Sequence, residues 1–141
     1  MRFRSKVCAA ALVVLFGYAA LAQEYRPKFA GDPARSDTEA AALGYMRVVL
    51  TAQRAYKNKH GQYAPNLQSL VGQGSFTKRM TTSDRGAYKV RFKGTGEGFS
   101  LWMDAVPEPG LTHRSFFADE RGTIRAEETK AAGPESPVVK S

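Results

Sequence analysis

Residues 36–61 read SDTEAAALGYMRVVLTAQRAYKNKHG and carry both a start and a stop signal for a helix. Ser36, followed three residues later by Glu39, is a capping-box pattern: the serine oxygen accepts from a first-turn amide and the glutamate reaches back to the cap. Gly61 suits the left-handed position that ends many helices, and the basic residues before it suit the negative end of the helix dipole. The sequence therefore predicts one long helix that begins near Asp37.

One face of this predicted helix is apolar and the rest of it is basic. Apolar residues recur at three-, four- and seven-residue steps, which is the period of an amphipathic helix. They are Ala42, Leu43, Met46, Val49, Leu50 and Tyr56, whereas Arg47, Arg54, Lys57 and Lys59 lie mostly outside this stripe.

The segment after Gly61 is predicted to fold back over the helix. Pro65 is expected to open a short helical turn that presents further apolar side chains. These are Leu67, Leu70 and Val71, which we expect to fold back over the helix together with Tyr63. Residues 72–86 are rich in Gly, Thr, Ser and basic groups and predict a surface loop that Phe76 anchors.

The period then changes from helical to alternating, which indicates half-buried strands. Two strands are predicted around Tyr88, Val90 and Phe92 and around Phe99, Leu101, Met103 and Ala105, joined by the glycine-rich turn 94–98. Further strands are expected around residues 113–119 and 123–127, with a tight turn at residues 120–122. The predicted fold class is α+β, with one long N-terminal helix packed on a 3–4-stranded antiparallel sheet.

The ends of the chain predict export and a short folded unit. Arg2, Arg4 and Lys6 precede an apolar run that ends at Ala20-Leu21-Ala22, which is the pattern of a signal peptide over residues 1–22. Residues 23–35 are predicted to be a linker, residues 36–127 the α+β domain and residues 128–141 a disordered tail. The expected location is the periplasm, the cell surface or the medium, and membrane attachment is expected only if the leader stays uncleaved.

The inventory of reactive side chains predicts no enzyme and no cofactor. His60 and His113 are far apart in the sequence, and the only cysteine, Cys8, lies within the leader. Asp119 and Glu120 are neighbours on a predicted strand end, so they point to opposite faces and do not suit paired-acid catalysis. A calcium site near this turn and a plain solvated turn are the two alternatives for these acids.

Two segments give the chain a resemblance to a known family. YMRVVLTAQRAYKNKHGQYAPNLQSL, residues 45–70, resembles the lower half of the long helix and the following loop of type IV pilins and type II secretion pseudopilins. GFSLWMDAVPEPGLTHRSFFADERGTIR, residues 98–125, is similar to the later strands of pilin-like globular heads. The chain differs from pilins in its ordinary export leader and in lacking the apolar half-helix of a filament core. The resemblance implies a pilin-like interaction module with protein partners in a pilus, a pseudopilus or the cell envelope.

The sheet face turned away from the helix is the predicted working surface. Alternation places basic and aromatic residues there together, a combination typical of interface hot spots and of single-stranded nucleic-acid binding. The residues are Lys89, Arg91, Trp102, Phe117 and Arg125. With a net charge of +8, or +5 without residues 1–22, DNA or an anionic polysaccharide is an alternative partner. In a further alternative, cross-strand packing and the loop 107–113 cover Trp102 and Phe117.

Overall fold

A computed structural model describes residues 24–140, so the predicted signal peptide and Cys8 lie outside the described residues. These residues form one α-helix, α1 (Asp37–His60), and five strands: β1 (Asp84–Arg85), β2 (Tyr88–Gly94), β3 (Phe99–Ala105), β4 (Ser115–Asp119) and β5 (Arg125–Glu127). Two short 3-10 turns, Gln68–Leu70 and Lys78–Thr81, lie between α1 and β1. Within residues 24–140, no helix combines the length and the apolar character needed to cross a membrane.

The predicted caps of α1 are confirmed, except that the Glu39 side chain has a different hydrogen-bond partner from the predicted one. Ser36 Oγ accepts from the N–H of Glu39 at 3.1 Å, and Gly61 adopts a φ of 78° while its N–H donates to the carbonyl of Lys57. The Glu39 carboxylate accepts from the N–H of Arg35 at 3.1 Å instead of from the N–H of the cap residue. The local signals in the sequence therefore fix both ends of the helix.

The α+β class is confirmed, but two details of the prediction are wrong: the helix is not N-terminal, since the described residues 24–36 precede it, and the described sheet has five strands and not three or four. All strands pair antiparallel with their neighbours in chain order, β1-β2-β3-β4-β5. The additional strand is β1, which lies inside the segment predicted to be a surface loop and contains only two residues. A two-residue strand cannot show alternation, so its sequence carries no periodic signal.

The core lies between α1 and one face of the sheet. Met46, Val49 and Leu43 are fully buried on the helix, and they join the inward residues of the strands in one cluster. Leu67, Leu70 and Phe76 are buried as predicted, whereas Val71 is 42% exposed, because the short turn ends before it and directs it away from the helix.

The loop that follows α1 is fixed by hydrogen bonds and by a close backbone contact. The buried Gln53 side chain bonds both to the N–H and to the carbonyl of Ala64, at 2.8 and 3.2 Å. The N–H of Tyr63 donates to the carbonyl of Gly96 in the β2–β3 turn, and the Tyr63 ring meets Phe99 edge-on at 5.3 Å. At Gly94 the two backbones approach so closely that a Cβ would lie 2.5 Å from the oxygen of Ala64.

A buried ion pair joins the start of α1 to the start of β4. Arg114 Nε lies 2.7 Å from Glu39 Oε1, and Arg114 Nη2 donates to Glu39 Oε2 at 3.2 Å and to the carbonyl of Pro33 at 2.8 Å. The Tyr88 hydroxyl donates to the carbonyl of Arg114, and burial together with the nearby Glu39 charge raises the pKa of Tyr88. The two charged side chains are only 10% and 3% exposed.

Composition predicts disorder for residues 128–141, but residues 132–139 pack on the sheet. The N–H of Ala126 donates to Pro137 and the N–H of Val139 donates to Ile124, so the tail runs along the free edge of β5. Ala132 and Ser136 are buried. Composition misses this arrangement because backbone hydrogen bonds and small side chains hold the segment, and neither gives an apolar pattern.

The close approach at Gly94 predicts opposite effects for two glycine substitutions. Gly94→Ala should lower the free energy of unfolding by about 1–3 kcal/mol, because the methyl group meets backbone atoms of Ala64 and Pro65. Gly44→Ala is the matched control: it lies in α1 with no atom within 4 Å of the added Cβ, and it should gain about 0.5–1 kcal/mol. Urea unfolding of both variants tests this. A Gly94→Ala variant as stable as the parent would contradict the close packing.

Candidate functional site

Four of the five residues predicted for the working surface form one row across the sheet. Arg91 on β2 is the direct partner of Trp102 on β3, Trp102 pairs with Phe117 on β4, and Phe117 pairs with Arg125 on β5. We call these four residues the outer row. They share the face of the sheet opposite α1, since their neighbours along each strand belong to the core.

The exposed end of the outer row is a stacked and charge-paired arginine. Arg91 lies over the Trp102 ring with its guanidinium carbon 4.6 Å from the ring centroid. Its Nη2 donates to Asp104 Oδ1 at 3.0 Å and its Nε donates to Oδ2. The hydrogen bond to Asp104 raises the pKa of Arg91. Arg91 is thus fixed in orientation while about half of its side chain stays accessible.

Lys89 lies in the next row, between two acids. It is exposed, and its direct cross-strand partners are Asp84 on β1 and Asp104 on β3. Opposite charges in adjacent strands attract, and with one lysine and two aspartates this row has a net charge of −1. The predicted face is therefore a mixed-charge surface and not a basic one.

The inner end of the outer row is covered. Phe117 is 1% exposed, so the prediction that the sheet displays it at the surface is wrong. Arg125 is half-buried, and its Nη1 donates to the carbonyl of Ser136 at 2.8 Å. Gly133 and Ser136 form a hydrogen-bonded turn, and the bond from Arg125 holds this turn at the Arg125 end of the outer row. The Phe117 ring itself packs against the Trp102 ring of the neighbouring strand, with the ring centroids 5.5 Å apart.

A groove lies beside the exposed end of the outer row. It has a volume of about 560 Å³, and the loop 106–113 and residues 128–131 form its sides. Leu111 on its rim is 57% exposed. Arg91 and Asp104 line one end of the groove, next to the Trp102 ring on which Arg91 stacks.

The acids of the β4–β5 turn have separate partners. Asp119 is buried and accepts from the backbone N–H, the Nε and the Nη2 of Arg121. Burial alone would raise the pKa of Asp119, but the hydrogen bonds from Arg121 outweigh this effect and the pKa lies below its usual value. Glu120 instead accepts from the N–H of Phe99 at 3.2 Å. In the part of the chain that the structure describes, no three His, Cys, Asp or Glu side chains form a group that could hold a metal ion.

Sequence reasoning missed two contributors to this surface. Asp104 orients Arg91, and its position two residues after Trp102 on the same face was a usable signal. Leu111 lies in an irregular loop, where periodicity gives no information about exposure.

Comparison of the chain with protein-family models, with curated proteins and with solved structures finds no match.

Because Phe117 is buried, we expect it to contribute to stability as a core residue does. Phe117→Ala should lower the free energy of unfolding by about 3–5 kcal/mol, because it empties a buried site. Lys89→Ala, on the same face but exposed, should change it by less than about 0.5 kcal/mol. Guanidinium unfolding of the two variants measures the difference. Equal, small losses would place Phe117 at the surface.

Proposed function

We propose that this chain is a non-enzymatic, exported, pilin-like module that acts by protein contact in a pilus, a pseudopilus or another part of the cell envelope. The observation that carries the proposal is the order of the elements. One capped helix is followed by a loop that returns to the β2–β3 turn and then by an antiparallel meander. The two sequence segments that resemble pilins fall on the helix with its loop and on β3 to β5.

The exposed end of the outer row is the proposed contact surface. Arg91 stacked on Trp102 offers a preorganised cation and an aromatic ring, and such residues dominate the binding energy of many interfaces. Leu111 adds apolar area across the groove, while acids and bases line its sides. A partner with an apolar anchor and a mixed-charge rim would match this surface.

The roles of the buried charges support a function without catalysis. Glu39 is bonded to Arg114 and to the N–H of Arg35, and Asp119 is bonded to Arg121. A general acid or base must be free to exchange a proton with a substrate, whereas these carboxylates serve as fixed acceptors.

Binding of DNA or an anionic glycan is an alternative with weaker support. Asp104 already pairs with Arg91, and Arg125 donates to a backbone carbonyl, so Lys89 is the residue of the predicted set with the most accessible charge. Phe117 is not accessible for stacking on a base.

The proposed function predicts where the protein is found in the cells that make it. Mass spectrometry should give Gln23 as its N-terminus, and the protein should co-sediment with surface filaments or with the envelope fraction. Arg91→Ala and Leu111→Ser should each reduce this association several-fold, because both remove accessible contact area without emptying the core.

The matched control is Lys59→Ala, an exposed change near the end of α1 and away from the outer row. A protein found only free in solution would contradict the function, and equal losses with Lys59→Ala would remove the assigned surface. Salt-sensitive retention on single-stranded DNA that Arg91→Ala abolishes would favour the alternative.

A further inference from the structure

A second cleft opens between α1 and the turn that joins β4 to β5. Its volume is about 630 Å³, which is within the usual range of small-molecule sites, roughly 300–1,000 Å³. Its apolar lining comes from the helix, the sheet and the two terminal segments: Phe29, Leu43, Leu50, Phe99, Ile124 and Val139. Phe29 is 49% exposed, so part of this apolar wall is in contact with water.

Two arginines of α1 line the cleft. Arg47 and Arg54 are seven residues apart, which places them about 10 Å apart along the helix axis on nearly the same side. Within residues 24–140 neither arginine takes part in an ion pair. Arg47 lies over the Phe29 ring at 5.2 Å, and Arg54 has a long hydrogen bond of 3.4 Å to Thr51 Oγ1.

The acids near the cleft are already engaged. Asp119 is held by Arg121, and Glu120 accepts from the N–H of Phe99. Asp32, whose charge interacts with Arg47, accepts from the Tyr25 hydroxyl and from the N–H groups of Lys28 and Ala34. Three arginines (Arg47, Arg54 and Arg121) and two carboxylates (Asp119 and Glu120) line the cleft, which leaves a net charge of +1 beside its apolar wall.

We propose that this cleft binds a single-chain anionic amphiphile, with a carboxylate or phosphate head at Arg47 and Arg54 and an apolar chain against Phe29, Ile124 and Val139, the apolar lining residues that keep accessible surface. Guanidinium groups bind both kinds of head group through charge-assisted hydrogen bonds. Burial of the chain's methylene groups against the apolar wall adds to the binding free energy.

The backbone around the cleft favours an acyl chain over an extended peptide. A peptide would need a strand edge for its amide groups, but residues 137–139 already occupy the edge of β5. Amides buried in this cleft without partners would cost free energy, whereas a hydrocarbon chain has no such groups to satisfy.

Calorimetry with three chain-matched probes tests the site. The full chain, purified in the form in which the expressing cell leaves it, is titrated with decanoate, decyl phosphate and decanol. The two anions should bind saturably and decanol at least tenfold more weakly. A preference between the anions distinguishes a free fatty acid from a phosphate-bearing lipid as the source.

Variants show whether binding depends on this cleft or only on the positive charge of the surface in general. Arg47→Gln and Arg54→Gln should each weaken binding of the anions about tenfold, and Phe29→Ser should weaken both anions alike. Lys59→Gln removes one positive charge from the same helix outside the cleft and should leave binding unchanged. The proposal fails if decanol binds as well as decanoate, if Lys59→Gln has the effect of Arg47→Gln, or if no anion binds saturably.

Discussion

The buried pair of Glu39 and Arg114 is the constraint on which the rest of the structure depends. A charge taken out of water is tolerated only where it is paired and fully hydrogen-bonded. Here both carboxylate oxygens and the guanidinium have partners, which come from the segment before α1, from α1 and from Arg114, the residue before β4. The pair therefore fixes where the first turn of the helix meets the sheet, while Gln53 and the contact at Gly94 fix its other end.

This geometry determines which surfaces remain free. The helix covers one face of the sheet, and the turn at residues 133–136 lies over part of the other. The accessible sites among residues 24–140 include the stacked Arg91 and Trp102 on the outer face and the cleft with Arg47 and Arg54 beside the helix. These two differ in their charge. One is preorganised by its own ion pair and suits a mixed-charge protein surface. The other has surplus positive charge beside apolar side chains and suits a smaller anionic ligand.

Elements with local signals were predictable from the sequence, and those that depend on distant contacts were not. The caps at Ser36 and Gly61 and the alternation of β2 and β3 depend on neighbouring residues, so the helix, the hairpin and the outer row follow from the pattern. Phe117 is buried although alternation places it on the outer face, and the turn that accepts from Arg125 lies in a segment whose composition predicts disorder. The sequence does not indicate that Arg114 is buried. Its partner Glu39 is already explained as a helix-capping residue, so nothing points to a second role for it in an ion pair.

A double-mutant cycle on Glu39→Gln and Arg114→Met, followed by chemical unfolding, tests the central role of the buried pair. Arg114→Met alone should cost about 3–5 kcal/mol, because it leaves the Glu39 carboxylate buried without its cation. The double variant should be more stable than Arg114→Met alone, since it removes both charges. Losses that simply add in the double variant would contradict the account, because they would mean that the two side chains do not stabilise each other.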